Sequence, residues 1–284
     1  MRVLLTGRNG QVGYELERSL ALEHELVALD RAALDLFDLE AIGRAVDEAK
    51  PRVVVNAAAY TAVDRAERER DAAFGINAQA VEALGKAAAR NGALMVHYST
   101  DYVFDGEKQA PYTELDPPHP VSVYGESKLA GERALGQSGC RHFIFRTSWV
   151  YGPRGRNFLH TILAAARAKP ELRVVADQRG APTSSIAIAK ATAQLLASPG
   201  CASAPSGVYH MSAAGDTTWH GFAEAIVERA GLAVPVIPIS SAEYPSAVRR
   251  PKNSLLDNAK LRASFGVELA DWHGELAAVM RALH

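Results

Sequence analysis

The feature that most constrains this chain is its first turn. Gly7-Arg8-Asn9-Gly10-Gln11-Val12-Gly13 spaces three glycines as G-x-x-G-x-x-G. The apolar run Val3-Leu4-Leu5 leads into it, and Gln11–Leu22, where Val12, Leu16 and Leu20 recur at helical spacing, leads out. Gly7 permits the tight turn. Gly10 leaves the backbone amides open to a pyrophosphate. Gly13 lets the helix pack close to the strand, and the helix N-terminus adds unpaired N–H groups and positive partial charge. Such a string in isolation is weak evidence. Set between a strand and a helix, it points to a dinucleotide-binding unit.

The rest of the first half repeats that rhythm. Leu26–Leu29 reads as a strand ending at Asp30, and Asp38 as the cap of a helix running to Lys50, which Pro51 ends. Val53-Val54-Val55 is a third strand, Asp64 to Arg90 a long helical stretch stopped by Gly92, and Leu94-Met95-Val96 a fourth strand. Residues 101–122 hold four prolines and read as a long functional loop. Val123–Leu135 is helical and His142–Phe145 strand-like. Strands that are continuous apolar runs, alternating with helices, predict an α/β fold: a doubly wound parallel sheet of Rossmann type, buried on both faces. We place this dinucleotide-binding domain at residues 1–148. Beyond it the rhythm breaks. The strand-like pieces Leu172–Ala176, Val208–Met211 and Val234–Ile239 are separated by irregular segments, and Ser198–Ser206 reads as a surface loop. Residues 149–284 are therefore expected to form a smaller α/β substrate-binding domain, with a helix near 184–197 able to pack back on the first.

Composition excludes several classes. A net charge of −1 over 284 residues lacks the basic excess of a nucleic-acid binder. No run of 18 apolar residues suggests a membrane span, and the three-residue apolar start is too short for a signal-peptide core. The two cysteines, Cys140 and Cys201, have no metal-ligand spacing and fit a reducing, cytoplasmic setting.

Two constellations carry chemistry. Asp30 ends the second strand, where an acid can grip an adenosine ribose 2′-OH, and Arg31 beside it suits a 2′-phosphate instead. The two point to different cofactors, so both NADPH and NADH are expected, with NADPH favoured. Tyr124-Gly125-Glu126-Ser127-Lys128 puts a phenol and an ammonium one helical turn apart. The ammonium is expected to lower the phenol's pKa from its ordinary value of about 10, making it a usable acid. Lys128 can also hold ribose hydroxyls. Thr100, at a strand end, can hydrogen-bond a substrate oxygen.

These segments together resemble the extended short-chain dehydrogenase/reductase superfamily, and within it the dTDP-4-dehydrorhamnose reductases. The strings that carry the resemblance run almost end to end: 7–13, Val55–Asp64, His97–Phe104, Val123–Glu132, Phe145–Tyr151, Asp177–Thr183 and Arg249–Ser254. The resemblance implies reduction of the C4 ketone of dTDP-4-dehydro-L-rhamnose. Tyr124 would be the proton donor, Lys128 would tune it and Thr100 would hold the same oxygen. It implies cofactor contacts at Gly10, Gln11 and Val12, at Asp30 with Asp35-Leu36, and at Ala59-Tyr60-Thr61 and Tyr98. Asp101 and Trp149 would face the sugar nucleotide. Arg249 and Arg250 offer planar forks for its diphosphate, unless they are spent on internal ion pairs. Some members of the family hold magnesium between acidic side chains at a dimer interface. Glu15 is available for that, but Ser184–Lys190 contains no acid, so no metal is expected and monomer and homodimer stay open. Three other readings stand beside this one. A nucleotide-sugar dehydratase or epimerase is disfavoured because Asp101-Tyr102 follows Thr100 where dehydratases carry Asp-Glu. A non-catalytic regulatory subunit, like the β subunit of methionine adenosyltransferase, is disfavoured by the complete Thr100, Tyr124 and Lys128 set. The third is a reductase of another deoxysugar ketone.

Overall fold

Strand β1 (Arg2–Thr6) is buried from Val3 onward and runs parallel between β2 (Glu25–Leu29) and β3 (Val53–Asn56). Beyond β3 the sheet continues, still parallel, through β4 (Leu94–Thr100), β5 (His142–Thr147) and β6 (Gly207–His210). The computed structural model describes residues 1–244 and 248–283. The order β2-β1-β3-β4-β5-β6 reverses direction between β1 and β3. In a Rossmann-like sheet that reversal opens a crevice at the carboxyl ends of the strands, where ligands collect.

Period-two alternation along each strand feeds two cores, one per face. Val3, Leu5, Val53, Val55, Val96, Phe143 and Phe145 point one way, onto α1 (Gln11–Leu20) and the helix Ser185–Ala197. Leu4, Val54, Met95 and Ile144 point the other way, onto α2 (Leu39–Ala49), α3 (Ala80–Arg90) and α4 (Val123–Gln137). Each fully buried aliphatic chain contributes about 1.5–3 kcal/mol over leaving it exposed. Asp38 caps α2 through the amide of Ala41, as its position foretells. A third core, built on Tyr151, Leu159, Ile162, Phe222, Trp272 and Leu276, holds the later segments together.

The structure departs from the sequence reading in two places. The stretch 64–90 is not one helix. It comprises Val63–Ala66, Arg70–Phe74, a π turn at Gly75–Gln79 and then α3. The extra residue of the π turn re-aims Asn77 inward. There its side chain accepts the Tyr60 amide at 2.9 Å and donates to the Tyr60 carbonyl and to Ser127 Oγ, each at 3.0 Å. The second departure concerns Val208–Met211, expected within the later domain. Gly207–His210 is instead the edge strand of the main sheet, paired with β5 from Phe143 to Arg146. Tyr209, Leu261 and Phe265 join the core of Phe143 and Phe145. The helix Ser185–Ala197 does pack back, against α1. Residues 149–284 therefore divide their packing between the third core and the first sheet. The stretch 198–206 contains a short helix, Gly200–Ser203.

Candidate active site

The glycine turn is shaped by close approach. Gly7 has φ +77°, and a Cβ there would lie 2.6 Å from the Ala58 nitrogen. A Cβ on Gly13 would sit 2.0 Å from the Gly7 carbonyl oxygen. Gly10 is exposed, so its backbone is left open at the start of α1. Asn9, Gly10, Gln11, Tyr14, Arg154 and Gly155 line an open cavity of about 410 Å³ over that helix start. Val12 is half-buried against the core below. The far wall comes from residues 152–157, where Asn157 donates to Gln11 Oε1 at 2.8 Å and Arg154 stacks 3.9 Å above the Tyr14 ring. Neither Arg154 nor Asn157 stands out in the sequence.

At the end of β2, Asp30 is half-buried and already engaged. Oδ1 accepts the amides of Ala32 and Ala33, each at 3.0 Å, and Oδ2 accepts from Asn9 at 3.1 Å. These bonds, the Ala33 amide first, hold its carboxyl below the usual range. Arg31 is exposed beside it, Asp35 accepts the Phe37 amide, and Leu36 is buried. Of the segment after β3, Ala59 and Tyr60 are half-buried and Thr61 exposed. The Tyr60 hydroxyl donates to Glu69 at 2.5 Å.

Helix α4 carries Tyr124 and Lys128. Ser122 caps it by accepting the Gly125 amide, and Glu67 accepts the Val123 amide. Lys128 is 2 % exposed. Its Nζ donates to the Tyr98 carbonyl at 2.6 Å and lies 3.3 Å from His97 Nε2. Burial brings its pKa down to about 8, with Glu132 one turn on pulling it back up. Glu132 forms a buried pair with Arg146 of β5 at 2.6 Å and accepts from Ser99. Tyr98 meets the site only through that carbonyl, since its ring lies in the core and its hydroxyl is 2.7 Å from Thr192.

Tyr124 does not show the lowered pKa that the Tyr–Lys spacing predicts. Enclosure of its hydroxyl pushes it up to about 12, against a hydrogen bond with Thr100 that pulls it down and the nearby Asp101 that raises it. Thr100 Oγ1 donates to Asp101 Oδ1 at 3.1 Å and accepts the Tyr102 amide. Asp101 is buried, and that burial lifts its carboxyl to about 6. Thr100, Asp101 and Tyr124 are thus brought together, with Lys128 one turn below.

Trp149 follows β5 with φ +48°, a left-handed backbone that a bulky residue rarely adopts. Its ring stacks on Trp219 at 3.6 Å and 8°. A Cβ on Gly180 would meet it at 2.5 Å. A strained backbone beside a ligand crevice is a functional signal. Arg249 and Arg250 are in ion pairs, with Glu107 at 2.5 Å and Asp64 at 3.2 Å. Glu15 lies within the field of two guanidiniums, Arg18 and Arg154, which oppose a divalent cation there. The residues do not fit magnesium. Sequence reasoning missed Asn56, His97, Glu132, Arg146 and Trp219. The one signal for Asn56 is its place at the carboxyl end of β3, whereas His97 lies midway along β4.

Comparison with known proteins agrees with this geometry. The model of the RmlD substrate binding domain family matches residues 1–284. The chain is 50% identical to the dTDP-4-dehydrorhamnose reductase of Burkholderia thailandensis, over 100% of this chain and 99% of that one. It is 43% identical to the Escherichia coli K12 enzyme of the same name, over 96% of this chain and 94% of that one. The crystal structure of a dTDP-4-dehydrorhamnose reductase from Bacillus anthracis in complex with NADP superposes with a TM-score of 0.94 at 36% identity, covering 99% of each chain.

Proposed function

The chain belongs to the RmlD substrate binding domain family, and from that premise we propose that it reduces the C4 ketone of dTDP-4-dehydro-L-rhamnose to dTDP-L-rhamnose. NADPH is the preferred cofactor and NADH a second one. The observation that carries this reading is that Thr100, at the carboxyl end of β4, hydrogen-bonds Tyr124 of α4 with Lys128 one turn further on, at the same end of the parallel sheet as the glycine turn after β1.

The amides of Gly10, Gln11 and Val12 at the start of α1 hold the pyrophosphate, where N–H groups and the helix dipole favour negative charge. Asp30 binds the adenosine ribose or gives way to Arg31 before a 2′-phosphate, with Asp35, Leu36, Ala59, Tyr60 and Thr61 along the groove. When bound, the dihydronicotinamide supplies the hydride. Tyr124 supplies the proton: with its pKa pushed up to about 12, it is a neutral O–H donor throughout the ordinary pH range. Hydride at C4 and a proton on the carbonyl oxygen together make the alcohol. Thr100 Oγ1 holds that oxygen in place. Lys128 uses one donor on the Tyr98 carbonyl and keeps another for ribose. Asp101 and the stacked Trp149 position the sugar. Arg249 exchanges Glu107 for the diphosphate, which costs little for so exposed a pair, and the half-buried Arg250 exchanges Asp64.

The test is NADPH oxidation with the dTDP-4-keto sugar beside its UDP counterpart. Stoichiometric NADPH consumption and dTDP-rhamnose as product are expected. Conversion without net NADPH consumption would overturn the reading in favour of an epimerase or dehydratase.

A further inference from the structure

Behind Lys128 lies a buried line of side chains that the reaction as described does not use. We propose that Asn56 and His97 are positioning residues for Lys128: by fixing which imidazole nitrogen carries the hydrogen, they set how tightly the lysine amine holds its third proton. The inference rests on the reading above that Lys128 serves Tyr124.

Asn56 is 1% exposed and His97 0%. Asn56 Oδ1 accepts two hydrogen bonds, from Thr6 Oγ1 at 2.7 Å and from the Ala58 amide at 3.2 Å. The Ala58 amide is only a donor, so the orientation of the Asn56 amide is settled. Its Nδ2, also only a donor, therefore faces His97 Nδ1, 3.1 Å away. Nδ1 must accept, and in a neutral imidazole the hydrogen then sits on Nε2. Burial keeps this imidazole neutral, since it holds the ring well below its ordinary pKa and the Lys128 charge adds to the effect.

Nε2–H points at Lys128 Nζ, 3.3 Å away. An ammonium there meets a donor with a donor. A neutral amine meets it with a lone pair and accepts. The line from Thr6 to His97 thus favours the amine over the ammonium. The opposing influence is Glu132, on the same helix, and Arg146 of β5 takes up most of its charge. Tyr124, on the same helix, is the other titratable neighbour. On β4, Tyr98 turns its hydroxyl away to Thr192. When Tyr124 has given its proton to the product oxygen it is a phenolate. Lys128 releases one proton toward it and becomes the amine that His97 is already arranged to hydrogen-bond. Asn56 and His97 touch neither phenol nor substrate, and they act through the lysine.

The experiment needs no cofactor or substrate. Lysine labelled with ¹³C at Cε is titrated by NMR in the full chain, with the Lys128 signal assigned by its loss in Lys128→Arg. In the native chain Lys128 is expected to titrate near 8. Asn56→Asp keeps the bonds to Thr6 and Ala58 but presents an acceptor to Nδ1. This moves the imidazole hydrogen to Nδ1 and turns Nε2 into an acceptor for the ammonium. The midpoint should rise by one pH unit or more, a tenfold gain in proton affinity. In the double variant Asn56→Asp/His97→Leu, compared with His97→Leu alone, most of that rise should vanish. A rise that survives without His97 would mean that the new carboxylate acts through its field alone and would overturn the proposal, as would no rise in Asn56→Asp. Thermal melts of each variant confirm that the compared chains are folded.

Discussion

At the scale of single residues, α4 sets a phenol that keeps its hydrogen one turn from a lysine that holds its own loosely. Tyr124, near 12, stays protonated at any pH the protein meets, whereas Lys128, near 8, loses its charge within reach of ordinary buffers. Tyr124→Phe should lower kcat by about 10²–10⁴-fold, the usual worth of a positioned acid. NADPH affinity, read by fluorescence, should change little, and an unimpaired kcat would remove Tyr124 from the chemistry. Turnover of the native chain should decline as pH rises through about 8, because Lys128 is charged below that value and neutral above it. A rate that is level from 7 to 9 would contradict that assignment. Tyr124 and Lys128 are legible in the sequence because a four-residue interval on one helix is a local pattern. Asn56 and His97 are not, because their partnership joins neighbouring strands with 40 intervening residues between them.

At the scale of elements, the turn into α1 is the most demanding piece of backbone. Gly13→Ala would drive a Cβ to 2.0 Å from the Gly7 carbonyl oxygen, within the part of the helix that must hug β1. The variant should lose several degrees of Tm and most NADPH affinity together. Gly136→Ala is the counterpart: nothing lies within 4 Å of its Cβ, and it sits in the last turn of α4. There alanine should add about 0.5–1 kcal/mol by restricting the unfolded chain and favouring helix. A neutral Gly13→Ala would show that the strand–helix contact is soft. The turn was readable in the sequence because its geometry leaves glycine no substitute. The break in 63–90 was not, because the apolar spacing there suits an unbroken helix and the reason for the π turn is a hydrogen-bonded side chain, Asn77, whose partners Tyr60 and Ser127 come from elsewhere. Gly131 of α4 presses so close to the Asn77 carbonyl that a Cβ would come within 2.0 Å, so two elements are seated by one contact that periodicity does not reveal.

At the scale of the whole molecule, the later segments are tied down at Glu275, a buried carboxyl that accepts the Ser184 amide at 2.7 Å, at the start of the helix Ser185–Ala197. Burial raises its pKa to about 7. The folded chain therefore binds this proton more tightly than the unfolded one. The stability linked to it is fully present below about 4.5 and is lost as pH rises through 7. Glu275→Gln, which can still accept the Ser184 amide, should melt above the native chain at pH 8, with the gap narrowing steadily as pH falls toward 4.5. A gap independent of pH would exclude that linkage. The alternation of strands and helices made the sheet readable, but not the destination of Gly207–His210, since four residues say nothing of which strand they will join. That destination has a consequence for synthesis. When the ribosome has released the first 148 residues, β5 is still an open edge, and the aromatic face of Phe143 and Phe145 awaits Tyr209 and Phe265. The nascent first half must wait for about sixty further residues, up to His210, before its sheet is complete, so a chain terminated near Ser148 would be a sticky, aggregation-prone fragment.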